Sequence, residues 1–136
     1  MQLDDGFAVE EPSITIPWGA NVETIRSLLG DRVRQVTPDY LVFDCVSLNG
    51  LTHTLGLHFR DGVLREFELF RKSDLDTADA FAVFQSHLEA TFGPPDRVGQ
   101  GDLDLPSYSW QRGAAQIRHL VQYRFGPEEH VRIARA

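Results

Sequence analysis

The stretch Leu51-Thr-His-Thr-Leu-Gly-Leu-His-Phe-Arg-Asp-Gly-Val-Leu-Arg-Glu-Phe-Glu-Leu-Phe70 contains the clearest structural signal in the chain. Apolar and polar residues alternate on both sides of Arg60-Asp-Gly62, which is typical of strands that bury one face. Asp-Gly is a strong signal for a hairpin turn. The stretch therefore predicts an antiparallel hairpin with one apolar face and one polar face.

The length of the hairpin loop follows from which side chains it brings together. With a two-residue loop, Asp61-Gly62, two leucines of the first strand would face Glu66 and Glu68. With a three-residue loop, Leu55 faces Phe67 and His53 faces Leu69, so the apolar faces match. We therefore predict the three-residue loop Arg60-Asp-Gly62. The polar face then carries Thr54, His58, Arg60, Glu66 and Glu68.

Two helices and further strands surround this hairpin. Asn21 is placed to cap a helix that ends at Gly30, and Thr77 or Asp79 to cap a second helix that continues to Phe92. The remaining predicted strands are Tyr40–Val46, Tyr108–Trp110, Ala115–Phe125 and His130–Ile133. Gly126 and Pro127, followed by Glu128 and Glu129, are predicted to form the turn before the last strand.

The order of these elements repeats along the chain. Each of the segments 13–71 and 77–136 reads as a helix followed by three strands. We predict a single α+β domain over residues 1–136, built from two such halves. Its mainly antiparallel sheet carries both helices on one face and leaves the other face partly open.

Charge and composition restrict the class of partner. The chain has 136 residues, with 13 basic and 20 acidic side chains, and a net charge of −7. The absence of a basic block argues against nucleic acid or an anionic membrane surface and favours a basic partner. No long apolar run occurs, and the N-terminal residues lack the features of a signal peptide, so we predict a cytoplasmic protein.

The residues that commonly bind metals do not form a recognisable ligand pattern. The five histidines have no close ligand spacing, and Cys45 lies alone in an apolar run, so no metal or cofactor is predicted. We predict a buried structural thiol at Cys45. His53 and His119 occupy corresponding inward positions of the two long strands and are predicted to belong to the core.

Two groups of residues suggest acid–base chemistry. Glu66 and Glu68 share a strand face with His58, and paired carboxylates of this kind hydrolyse glycosides when burial separates their pKa values. Glu128, Glu129 and His130 form a second such group. A small hydrolase is therefore one hypothesis. A solvated polar surface accounts for the same residues without catalysis.

The loop before the Tyr108 strand offers another kind of surface. Asp102-Leu-Asp-Leu-Pro106 is acidic with interleaved leucines, and it lacks the pattern of a calcium-binding loop. We predict that Asp102 and Asp104 dock into a basic, partly apolar cleft of a partner.

Several short motifs resemble those of bacterial immunity proteins from polymorphic or contact-delivered toxin systems. The motifs are Pro17-Trp-Gly19, Leu29-Gly30, Phe92-Gly-Pro-Pro95, Tyr108-Ser-Trp110 and Arg124-Phe-Gly-Pro-Glu-Glu-His-Val-Arg-Ile133. The tandem helix-then-strands plan is also similar to β-lactamase-inhibitor-protein-like domains, whose open sheet grips a partner. The resemblance implies a cytosolic, non-enzymatic protein that binds one toxin or effector domain and covers its active site.

The resemblance assigns no residue roles, so the contact residues are predicted from their charge. They are His58, Glu66, Glu68, Asp102, Asp104, Glu128 and Glu129. Together they would present an acidic surface to a basic toxin site.

Overall fold

The computed structural model describes residues 1–135, which form two helices and ten strands. The helices are α1 (Val22–Leu29) and α2 (Thr77–Phe92). The strands of the first half are β1 (Gly6–Val9), β2 (Ile14–Pro17), β3 (Arg34–Thr37), β4 (Tyr40–Ser47), β5 (Leu51–Arg60) and β6 (Val63–Phe70). Those of the second half are β7 (Arg97–Gln100), β8 (Pro106–Arg112), β9 (Ala115–Tyr123) and β10 (Pro127–Arg135).

Eight strands form one antiparallel sheet in the order β3-β4-β5-β6-β10-β9-β8-β7, and β1 and β2 form a separate hairpin. The large sheet consists of two four-stranded meanders that meet where β6 pairs with β10. The α+β class and the antiparallel sheet are thus confirmed. The predicted count of three strands per half is wrong, because each half supplies four strands to the sheet.

The missed strands β3 and β7 lie at the two edges of the sheet. All eight of their residues are exposed, so neither strand carries the apolar alternation on which a sequence prediction depends. Main-chain pairing to β4 and β8 defines them instead. Short, polar edge strands of this kind also discourage pairing with other chains.

One face of the large sheet, here called the inner face, is apolar across its six central strands. Paired positions on six neighbouring strands place buried side chains in a transverse row consisting of Leu41, Leu57, Phe67, Ile133, Ile117 and Trp110. Burying such side chains stabilises the fold by about 1.5–3 kcal/mol each. His53 and His119 lie on this face and are buried, as predicted.

The helices and the β1–β2 hairpin pack against the inner face and share one hydrophobic core with it. Asn21 caps α1 by accepting a hydrogen bond from the backbone of Thr24, as predicted. The cap of α2 is Asp76 rather than Thr77 or Asp79, because its carboxylate accepts from the Asp79 backbone N–H at 2.8 Å. The opposite side of the sheet, here called the outer face, carries no helix of the described chain.

The β5–β6 hairpin corrects the predicted loop length. Arg60 pairs with Val63, so the loop is the two-residue Asp61-Gly62, and both of its residues have the positive φ of a type I′ turn. A bulge at Arg65 then shifts the register, and Leu55 faces Leu69. The apolar faces match as predicted, but the bulge rather than a third loop residue produces the match.

The start of β10 also differs from the prediction. The strand begins at Pro127, so Glu128 and Glu129 lie within it and point to opposite faces rather than standing together at a turn. The preceding strand ends at Tyr123, and Phe125, predicted to be its last residue, is fully exposed in the turn. No helix within residues 1–135 is long and apolar enough to cross a membrane.

Candidate functional site

The outer face brings together polar side chains from four neighbouring strands that are distant in sequence. Tyr40 of β4 pairs with His58 of β5, which pairs with Glu66 of β6. In the adjoining row, Glu68 pairs with Arg132 of β10. We call these five residues the outer-face cluster. It lies over the junction of the two halves.

Glu68 is the centre of the cluster. Its Oε1 accepts hydrogen bonds from His58 Nε2 at 2.8 Å and from Tyr40 Oη at 3.1 Å. Arg132 Nη2 lies 3.3 Å from its Oε2, and Arg132 Nη1 donates to Glu66 Oε1 at 2.6 Å. The Tyr40 and His58 rings stack with 4.3 Å between their centroids. Each member is therefore held in place by a contact with another member.

A glycine makes room for the ring of Tyr40. A Cβ atom at Gly56 would lie 2.6 Å from Tyr40 Oη and 2.8 Å from its Cε1. The ring therefore lies flat against the backbone of β5, close enough to reach Glu68. Glycine within a strand commonly marks such a close approach.

The electrostatics of the cluster hold Glu68 in its charged form. The hydrogen bond from His58, reinforced by the charge of Arg132, lowers the pKa of Glu68. Burial, together with the negative charge of Glu68, raises the pKa of Tyr40 to about 12. A glycosidase-type general acid needs a carboxyl group with a raised pKa. The hydrolase hypothesis stays a prediction, and the environment of Glu68 does not favour it.

The other predicted contact residues are spread over different parts of the surface. Glu128 lies on the outer face, with its Oε1 3.5 Å from His130 Nε2. Asp102 lies in the β7–β8 loop, where its carboxylate accepts from the backbone N–H of Tyr123 at 2.7 Å and braces the loop. Asp104 in the same loop is exposed and has a positive φ. These acids do not join the outer-face cluster.

Glu129 belongs to a polar group beneath the inner face. His119 is fully buried, with its Nε2 2.6 Å from Glu129 Oε2 and its Nδ1 2.8 Å from Gln85 Oε1. Its ring stacks on Phe81 at 4.0 Å. Burial lowers the pKa of His119, although the Glu129 carboxylate opposes that shift. This group ties α2 to β9 and β10 within the core.

A serine and a histidine also meet inside the first half. Ser47 Oγ hydrogen-bonds His53 Nε2, and His53 Nδ1 donates to the Thr54 carbonyl at 3.0 Å. Ser47 has no exposed surface, and burial raises the pKa of neighbouring Cys45 to about 12. A nucleophile must reach its substrate and be activated, so this arrangement fits a structural role. Within residues 1–135, no group of three or more His, Cys, Asp or Glu side chains is arranged to hold a metal ion.

Sequence reasoning missed Tyr40 and Arg132 as members of the site. The alternation of residues in β6 was enough to place Glu66 and Glu68 on one face of a strand. Their partners come from β4 and β10, and local sequence does not show which strands become neighbours. One usable signal was present. Gly56 interrupts an otherwise regular strand pattern, and such a glycine predicts close approach of another group.

Comparisons with known proteins identify one distant structural neighbour. No protein-family model matches the chain, and no curated protein sequence matches it either. Among solved structures, the chain is similar to a DUF4309 family protein, YjgB, from Bacillus subtilis. The similarity covers 86% of this chain and 79% of that one, with 15% sequence identity and a TM-score of 0.49.

Proposed function

We propose that this protein is a non-enzymatic immunity-type inhibitor that binds one bacterial toxin or effector domain through the outer face of its sheet. The observation that carries the proposal is the outer-face cluster, whose side chains are locked by mutual hydrogen bonds on an uncovered sheet. A preorganised surface binds more tightly because it loses less conformational entropy on association. The inhibitor would act by covering the active site of its partner.

The hydrogen bonds of the cluster support a choice of residues for the proposed surface. We place His58, Glu66 and Glu68 at its centre and add Tyr40 and Arg132, because both contact these glutamates. Ion pairing offsets the charge of both glutamates, so the proposed surface carries charges of both signs and is not uniformly acidic. Asp102, Asp104 and Glu129 lie outside it, and any contact they make would be peripheral.

A neutralisation assay tests this function with a matched pair of substitutions. Each toxin-like domain encoded near the gene in its native genome is expressed in bacteria with this protein, and survival and the affinity of the purified pair are measured. Ser109→Trp places a large ring on the outer face beside Arg118, whereas Ser86→Trp places it on the exposed side of α2. We expect Ser109→Trp to weaken binding by about 100-fold and abolish protection.

Ser86→Trp should protect like the wild-type protein. Equal protection by both variants would show that the outer face is not the binding surface. Failure of the wild-type protein to bind or protect against the toxin would overturn the immunity function itself.

We also infer that residues 13–71 and 77–136 descend from one duplicated unit. The support is that each half contains a helix followed by a four-stranded meander, and that the last strands of the two meanders pair. A sequence profile built from relatives of the first half alone should detect the second half. Independent profiles that never match each other would count against duplication.

A further inference from the structure

A groove on the outer face carries charge of the opposite sign from the protein as a whole. It runs over β9 and β10 beside the outer-face cluster and encloses about 220 Å³. Its lining residues are Arg118, Leu120, Gln122, Arg124, His130 and Arg132. Three arginines and a histidine thus line it without a carboxylate, in a chain whose net charge is −7.

The arrangement of two of these arginines is unfavourable for folding. Arg118 of β9 stands directly opposite Arg132 of β10. Like charges at opposed positions of neighbouring strands repel one another and destabilise the sheet. Glu66 and Glu68 hold Arg132 from the other side, but Arg118 and Arg124 form no ion pair with any residue from 1 to 135. An anionic ligand would relieve this repulsion.

The histidine of the groove faces away from any ligand that would enter it. His130 Nε2 is buried and lies 3.5 Å from Glu128 Oε1. Because this atom has no accessible surface, His130 contributes its ring to the wall of the groove. Arg118 and Arg124 are therefore the groups that remain available to bind an anion.

Three features indicate what kind of anion fits. Leu120 gives the groove an apolar side, and beyond Arg124 the fully exposed ring of Phe125 offers further apolar contact. Arginine forks match the planar geometry of carboxylates. Two arginines without ion pairs suit a short acidic segment better than the extended row of phosphates of a nucleic acid or an anionic membrane, whose binding depends on neutralising many charges.

We propose that this groove receives a carboxylate-rich segment of the protein partner, with Arg118 and Arg124 binding its acidic side chains. The inference rests on the proposed function and deepens it, since it gives the partner an acidic segment where the acids of this chain had suggested a basic surface. The outer face then contains two groups of charged side chains with different roles. The glutamates of the cluster orient Arg132 while the free arginines engage the partner.

A peptide-binding measurement tests the groove without any cognate partner. The probe is a fluorescent peptide of alternating Glu and Leu, and the control peptide has Lys in place of Glu. We expect the acidic peptide to bind and the Lys peptide not to bind, with affinity falling as salt rises. Arg118→Gln combined with Arg124→Gln should weaken binding at least about tenfold.

The matched control is Arg32→Gln combined with Arg65→Gln, which changes the net charge equally at exposed positions outside the groove. It should bind the acidic peptide within about twofold of the wild-type protein. Equal loss in both double variants, tighter binding of single-stranded DNA than of the peptide, or no peptide binding by the wild-type protein would each overturn the proposal. Because this assay uses no toxin, the groove and the immunity function fail independently.

Discussion

At the scale of single residues, Gly56 determines how the outer face is built. Its missing side chain allows the Tyr40 ring to lie on β5, stack with His58 and donate to Glu68. The raised pKa of Tyr40 follows from this position, because the ring is partly buried beside a carboxylate that stays charged. One glycine thereby fixes three polar side chains contributed by three strands.

Gly56→Ala should therefore displace the Tyr40 ring and disrupt the cluster. We expect the free energy of unfolding to fall by about 1–3 kcal/mol, as in other overpacked sites. The pKa of Tyr40 should fall from about 12 towards its ordinary 10.0. Urea unfolding and NMR titration of labelled tyrosine rings measure the two effects.

The control is Gly99→Ala in β7, where the nearest atom to an added Cβ lies 3.9 Å away. This substitution meets no steric obstacle, and stability should change little. A Gly56→Ala protein with unchanged stability and an unchanged Tyr40 titration would show that the ring does not depend on the glycine.

At the scale of elements, the β5–β6 hairpin shows what the sequence determined. The alternation of apolar residues required the two apolar faces to coincide, and they do. It did not distinguish a three-residue loop from a two-residue loop followed by a bulge, because both restore the same alternation. The choice between them depends on backbone conformations that Asp61 and Gly62 adopt at positive φ.

The same argument separates the predictable part of the site from the rest. Acids on β6 could be assigned to a face from their spacing alone. Their neutralisation by Arg132 could not, because the pairing of β6 with β10 joins residues far apart in the chain. The sequence therefore indicated where the site lies but not its balance of charge.

An alanine inserted between Glu66 and Phe67 should test whether a single bulge sets the register. Because the bulge already accommodates one extra residue, a second one would move Phe67 and Leu69 from the inner face to the outer face. We expect this variant to lack a cooperative thermal transition, as followed by circular dichroism. Deletion of Arg65 is the control, because it joins two residues that already pair with consecutive residues of β5; it removes the bulge, keeps both faces and should leave a folded protein. A cooperatively folded insertion variant or an unfolded deletion variant would contradict the prediction.

At the scale of the whole molecule, the two halves are coupled through one core. Phe84 of α2 lies between two buried histidines, with ring centroids 6.5 Å from His53 in the first half and 5.9 Å from His119 in the second. Burial lowers the pKa of both histidines. Protonation of either one thus affects the layer that joins the halves.

This arrangement predicts that the protein loses stability in mild acid. Below pH 6.5, the ordinary histidine pKa, both histidines become protonated in the unfolded chain. In the folded protein they stay neutral until the pH reaches their lowered pKa values. The free energy of unfolding should therefore fall as the pH decreases from 6.5, by up to about 1.4 kcal/mol per pH unit for each histidine.

Urea unfolding between about pH 8 and about pH 5 measures this slope. His119→Gln should make it shallower, because one of the two histidines is removed. Histidine NMR titration of the wild-type protein provides a direct check. A His119 that is already protonated at about pH 7, or a variant with the wild-type slope, would contradict the prediction.

The seam between β6 and β10 has a consequence for synthesis of the chain. β6 ends at Phe70, but the strand that covers its edge begins only at Pro127. During translation the first meander therefore emerges with an open edge that alternates between apolar and polar residues, a pattern that invites pairing with other chains. That edge is covered only after β10 has left the ribosome. A chain truncated before β10 would therefore keep an unpaired strand edge that is prone to aggregation.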